Sequence, residues 1–139
     1  MTGVSIVPAR PEHEAWIYDT FRRALSEVPG WGIDRADDEG QRLIALAPHL
    51  ALVVATPVGY PDEIAGWAAG ARDKSALVAV YVRYTLRRRG IGTELRRAVC
   101  DADPAPLAYW TRAAGRMEAR GYPWRHDLDA SARTLRRVE

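Results

Sequence analysis

The sequence predicts a single α/β (α+β) domain, and three observations carry that reading. The apolar pattern runs at helical spacing from Ile17 to Pro48 and changes to strand spacing from Leu50. The run Leu77-Val78-Ala79-Val80-Tyr81-Val82 is apolar on both alternating faces, as expected of a central strand covered on both sides. Shortly after it comes Arg87-Arg88-Arg89-Gly90-Ile91-Gly92, a basic glycine turn where a strand hands over to a helix.

Val4 to Val7 reads as a short strand ended by Pro8. Pro11 suits the first turn of a helix, and Glu12 and Glu14 complement its dipole. Ile17, Phe21, Leu25 and Val28 recur at helical spacing and give that helix a buried stripe, which Pro29-Gly30 stops. Asp34 is the expected N-cap of a second helix carrying Leu43, Ile44 and Ala47, closed by Pro48 and weakened by Gly40. Leu50 to Ala55 and Ile64 to Ala71 read as two strands joined by the Pro/Gly-rich turn Thr56 to Asp62.

Beyond the central strand and the glycine turn, a helix over Thr93 to Ala102 puts Leu95, Ala98, Val99 and Ala102 on one face. Pro104 and Pro106 break it before a short strand, Leu107 to Trp110. A further helix from about Ala113 to Arg120 ends at Gly121, a good C′ residue. The tail beyond Tyr122 is open to two readings: short strands around Asp127-Leu128-Asp129, or a helix over Ala130 to Val138. With no linker, repeat or low-complexity tract, residues 1–139 read as one domain.

Composition narrows the function classes. An apolar fraction of 47% and a charged fraction of 27% are ordinary for a globular protein able to bury a core. No apolar run approaches the ~20 residues needed to span a bilayer, and no basic stretch and apolar core mark a secretory signal, so no membrane role is expected. The single cysteine, Cys100, excludes an internal disulfide and fits a reducing cytoplasm. A net charge of +2 is too small to argue for nucleic acid by itself. The arginine clusters at 87–89 and 136–137 keep a nucleic-acid-binding or adaptor protein as an alternative, though no helix-turn-helix or stacking-aromatic motif supports it.

The glycine turn carries the chemistry. Glycines let a backbone approach phosphate closely, and the free N–H groups of a helix's first turn point at an anion. Arginines add charge-assisted hydrogen bonds, so the arrangement suits a pyrophosphate. His13, His49 and His126 are far apart and show no metal-ligand spacing, so no metal is expected.

The order strand, helix, helix, three strands, basic glycine turn, helix, strand, helix resembles the GNAT N-acetyltransferase superfamily over essentially the whole chain. The family motif Arg/Gln-x-x-Gly-x-Gly/Ala falls on Arg87, Gly90 and Gly92, with Arg88, Arg89 and Ile91 between. The resemblance implies a GNAT-like mixed, mostly antiparallel sheet flanked by helices. It implies that backbone amides of Arg88 through Thr93 hold the pyrophosphate of acetyl-CoA as cosubstrate, and that the pantetheine arm pairs with Tyr81 and Val82. A backbone N–H at Tyr81 or Val82 would polarise the thioester carbonyl as charge develops on it. A primary amine on a small molecule or peptide would attack directly, and a homodimer is among the expected assemblies.

The sequence departs from the family where its last main helix often carries a catalytic tyrosine. Here Met117 stands at that position, ahead of the matching Gly121 and Tyr122, and Trp110 replaces a common asparagine. An acyl-CoA-binding protein that transfers nothing is therefore the second reading. Tyr122 and Tyr109 are alternative proton donors, with packing the simpler role for Tyr122, and His126 is a candidate base. Asp34, Asp37, Asp38 and Glu39 are candidates for attracting a cationic amine, although helix N-termini collect acids anyway. Trp31 and Trp67 are candidates for lining the acceptor pocket. Cys100 falls off the helix's apolar face and lacks a histidine partner, which argues against a nucleophile.

Overall fold

The computed structural model describes residues 3–27, 30, 32–87 and 89–101, with 106–107 and 125–126 described as backbone. Their order is β1 (Val4–Pro8), α1 (Glu14–Ser26), α2 (Ile33–Leu46), β2 (Leu50–Pro57), β3 (Gly66–Ala71), β4 (Leu77–Val82), α3 (Ile91–Val99), β5 (Pro106–Leu107) and β6 (Arg125–His126). Among the described residues the strands form one sheet in chain order. β1 through β4 pair antiparallel, while β4–β5 and β5–β6 are parallel. The sheet is thus mixed and mostly antiparallel, and β4 lies in its interior.

Both faces of the sheet are covered. On one, Ile17, Phe21 and Leu25 of α1 and Leu43 and Leu46 of α2 bury Val54, Trp67, Val78 and Ala79. On the other, Ile91, Leu95 and Val99 of α3 bury Ala55, Ala68 and Leu77. β4 supplies core residues to both, which explains why its sequence shows no polar face. The indole of Trp67 is fully buried, meets Phe21 edge-to-face at 5.7 Å, and donates from Nε1 to Thr20 Oγ1 at 2.8 Å. Thr20 Oγ1 in turn donates to the Trp16 carbonyl at 2.8 Å, so no polar atom of this pair is stranded.

The register between β3 and β4 slips by one residue. Ala69 pairs with Ala79 but Gly70 pairs with Leu77, leaving Val78 as an extra residue. Consistent with a bulge, Val78 and Ala79 both join the core under α1 and α2. A bulge bends its strand, and this one sits next to Leu77↔Leu107, the pair that joins β4 to β5. Past that point no described strand lies on the outer side of β4.

Several boundaries differ from the sequence reading. Gly32 rather than Asp34 caps α2, its carbonyl accepting the Ala36 N–H at 3.1 Å, and Asp34 lies in the first turn. Gly40 marks a close helix approach: a Cβ there would stand 3.0 Å from the Tyr18 ring. α3 begins at Ile91, two residues before Thr93, and ends at Val99, not Ala102. Cys100 then turns extended, with φ −145 and ψ 124, and Asp101 N–H reaches the Lys74 carbonyl at 2.9 Å. That turn swings Cys100 into the core, 1% exposed, instead of leaving it off the apolar face. Residues 108–110 of the expected strand Leu107 to Trp110, the helix Ala113 to Arg120 and the tail past His126 lie outside the described residues.

Candidate functional site

The groups singled out by sequence converge on the C-terminal end of β4. After Val82 a 3-10 turn (Tyr84–Leu86) leads to Arg87, and Gly90 opens α3 in the left-handed region at φ 82. An L side chain there costs about 1–2 kcal/mol, so glycine is what the turn requires. The carbonyl of Gly90 accepts the Glu94 N–H at 3.1 Å, which closes the first helical turn. The N–H groups of Ile91, Gly92 and Thr93 precede that bond and have no acceptor within the helix, nor does a side chain cap them. Ile91 is 2% exposed and anchors the turn in the core. Gly92 faces the strand end: a Cβ on it would stand 3.5 Å from Val82 Cγ2.

The open side of β4 follows from strand parity. Arg83 N–H donates to the Ala65 carbonyl at 2.8 Å, toward β3. Backbone groups alternate sides along a strand, so those of Tyr81 also face β3, while those of Val80 and Val82 face away. The Val82 carbonyl confirms the parity by accepting Arg87 Nε at 2.9 Å. Of the two amides expected at the thioester, that of Val82 is the one on the open side.

Arg87 does more than carry charge. Its guanidinium lies 5.7 Å from the Tyr81 ring centroid and 5.5 Å from that of Tyr84, so the motif arginine ties the strand end to the turn. Trp16, from α1, meets Tyr81 edge-to-face at 5.6 Å, and the Arg83 guanidinium lies 5.8 Å from the Trp16 ring. Trp16 was not singled out by sequence. Its one signal is an aromatic beside, rather than on, the stripe of Ile17, Phe21 and Leu25.

The β4–α3 junction is rich in positive charge, with Glu94 the acid of the first turn of α3. No acidic residue occurs from Lys74 to Thr93, a stretch that holds Arg83, Arg87, Arg88 and Arg89. Ion pairs away from this end join Arg10 to Glu12 and Arg22 and Arg23 to Asp19. Arg89 is exposed, whereas the side chain of Arg88 lies outside the described residues.

Other candidates fall away from this end. The α1/α2 pair is antiparallel, with Gln41, Ile44 and Ala45 beside Glu14, Ala15 and Tyr18. Asp34, Asp37 and Asp38 therefore lie toward the far end of α1 from Trp16, and Asp37 accepts a hydrogen bond from Gln41. Trp67 is fully buried in the core under α1. His13 Nδ1 accepts the Arg10 N–H at 3.0 Å, a helix-start contact. His126 lies in β6 opposite Leu107, level with the start of β4 at Leu77 and not with Val82; its side chain is outside the description. Tyr109, Trp110, Met117, Tyr122 and Trp31 lie outside the described residues. Among the described residues no group of three His, Cys, Asp or Glu stands close enough to hold a metal ion, and no helix is long and apolar enough to cross a membrane.

Comparison with known proteins bears on this arrangement. The sequence profile of the acetyltransferase (GNAT) family matches residues 12–122. Among solved structures, apo YjaB from Escherichia coli superposes with TM-score 0.59 at 16% identity, over 86% of this chain and 78% of that one. A GCN5-related N-acetyltransferase from Rhodopseudomonas palustris gives TM-score 0.57 at 18% identity, over 84% of this chain and 79% of that one. A possible acetyltransferase from Clostridium difficile 630 gives 0.54 at 16% identity, over 89% and 92%. At such identities these likenesses concern the fold. Curated proteins give no significant sequence match.

Proposed function

The chain belongs to the GNAT acetyltransferase family, and from that premise we propose that it moves an acetyl group from acetyl-CoA to a primary amine by direct attack. The observation that carries the reading is the first turn of α3, its N–H groups unclaimed by the helix, set against the open end of β4. The fit is also steric, because Gly92 leaves bare the surface a side chain would fill.

In this reading the amides of residues 88–93 hold the pyrophosphate, with Arg87 and Arg89 adding charge. Val82, on the open side of β4, offers its N–H to the acyl carbonyl, where a fixed donor is worth most as charge develops. Acetyl-CoA supplies an activated thioester: the amine lone pair forms the N–C bond, the C–S bond breaks with its electron pair on sulfur, and the ammonium proton leaves to solvent. Arg83 and Arg87 favour that deprotonation, since nearby positive charge disfavours an ammonium. With Met117 at the usual tyrosine position, the departing thiolate takes its proton from water, or from Tyr122 in its proposed role. General acid–base assistance contributes about 10²–10⁴-fold, so its loss slows the reaction without abolishing it.

Calorimetry with acetyl-CoA, followed by an assay of free CoA release against a panel of amines, tests the proposal. Binding and amine-dependent release are expected. Tight binding with no turnover would favour the non-catalytic acyl-CoA-binding reading, which Met117 motivates. A salt-sensitive gel shift without acetyl-CoA binding would favour the nucleic-acid reading.

A further inference from the structure

The site described so far accounts for the donor, and the face of β4 opposite α3 carries features the donor does not use. There Trp16 packs on Tyr81, and the Arg83 guanidinium lies over the Trp16 ring. Arg83 is exposed, and its guanidinium makes no hydrogen bond or ion pair among the described residues. Asp62 and Glu63 lie on the turn that leads to Ala65 beside Arg83, and among the described residues neither is ion-paired with it. Arg87, which the proposed donor site uses, also reaches this face: its Nε donates to the Val82 carbonyl and its guanidinium lies 5.7 and 5.5 Å from the Tyr81 and Tyr84 ring centroids. The acids on α2 that would suit a cationic acceptor lie toward the other end of α1.

Resting on the acetyl-transfer reading, we propose that the acceptor is a primary amine carrying a carboxylate a few bonds from its nitrogen, an amino acid in the broad sense, and that Arg83 reads that carboxylate. With α3 and the donor on one face of β4, a nucleophile approaches the strand end from the face of Trp16. A polycation arriving there meets Arg83 and Arg87 and is repelled. An acceptor with a carboxylate meets a planar fork that matches it bidentately. The Trp16 ring, 5.8 Å from the Arg83 guanidinium, attracts the cation to this position and so favours its placement there before an acceptor binds. The carboxylate at Arg83 would then set the amine at the end of β4, beside the Val82 amide.

The discriminating comparison is a panel of amino acids, the corresponding amino acid amides and spermidine, each measured for kcat/KM by CoA release. Amides carry the less basic amine and react more readily in solution, so a preference for the free carboxylate is a stringent outcome. The acids are expected to exceed their amides, and spermidine to be poorest. Arg83→Ala should lower the ratio of acid to amide about tenfold to a hundredfold, the span of one charge-assisted hydrogen bond. Arg83→Lys should restore part of it, and Arg83→Glu should invert it. Acetyl-CoA calorimetry on each variant checks that the fold and donor site persist. If amines turn over with no preference for the carboxylate, or with a ratio unmoved in all three variants, this proposal falls while acetyl transfer stands. If acetyl-CoA binds and no amine turns over, both fall.

Discussion

Two residues hold more than their positions in the sequence suggest. Thr20 lies on the buried side of α1, where its hydroxyl accepts from the Trp67 indole and donates to the Trp16 carbonyl. Thr20→Val keeps the shape and removes the acceptor, stranding a buried N–H. The expected loss is about 1–3 kcal/mol of stability, read from urea unfolding. An unchanged midpoint and slope would show that the indole finds another partner. Arg87 is the other. Its bond to Val82 and its two ring contacts mean that Arg87→Ala removes both a cation and a brace on the strand end. Acetyl-CoA affinity should fall by about 1.5–3 kcal/mol in calorimetry. Arg87→Lys should recover little, because an ammonium lacks the planar fork whose Nε bonds the Val82 carbonyl while the guanidinium lies near both rings. Recovery to full affinity in the lysine variant would reduce the role of Arg87 to charge alone.

At the scale of the element, the junction of β4 and α3 separates what glycine does for the fold from what it does for a ligand. Gly90 is required by its own backbone, so Gly90→Ala should destabilise by about 1–2 kcal/mol in thermal or urea unfolding. Gly92 has ordinary dihedrals, and an added Cβ would meet Val82 Cγ2 at 3.5 Å, a normal contact. Gly92→Ala should therefore leave stability unchanged or raise it by up to about 1 kcal/mol. Acetyl-CoA affinity should nevertheless fall, and further in Gly92→Val; equal affinity in a folded valine variant would place the donor elsewhere. These elements were unequally legible in the sequence. β4 announced itself, since burial on both faces leaves no alternation to misread. The start of α3 did not, because a left-handed glycine is a backbone property and the helical spacing of Leu95 and Val99 fits either start. The inward turn of Cys100 was hidden for the same reason: a helix assumed to continue to Ala102 rotates that residue the other way. Trp16 with Tyr81 and Arg83 was out of reach, for α1 and the end of β4 are far apart in sequence and meet only when α1 packs on the sheet.

At the scale of the whole molecule, the burial of Cys100 argues for how the acetyl group travels. The thiol is 1% exposed among Leu77, Leu95 and Val99, under α3 and away from the open end of β4. A nucleophilic cysteine needs access to its electrophile, and burial under α3 withholds it. The acetyl group should therefore pass to the acceptor without resting on the protein. Mixing with acetyl-CoA in the absence of an amine should leave the intact mass unchanged. Cys100→Ala, which keeps the site apolar, should retain kcat even if it loses some stability to the small cavity. Cys100→Ser is the harsher variant, since it places a more polar hydroxyl in the same core and should unfold at lower urea. An acetyl adduct mapped to Cys100, together with loss of turnover in a folded Cys100→Ala protein, would overturn direct transfer. The adduct would also require the core under α3 to open on the timescale of turnover, which hydrogen exchange at Leu95 and Val99 would register independently.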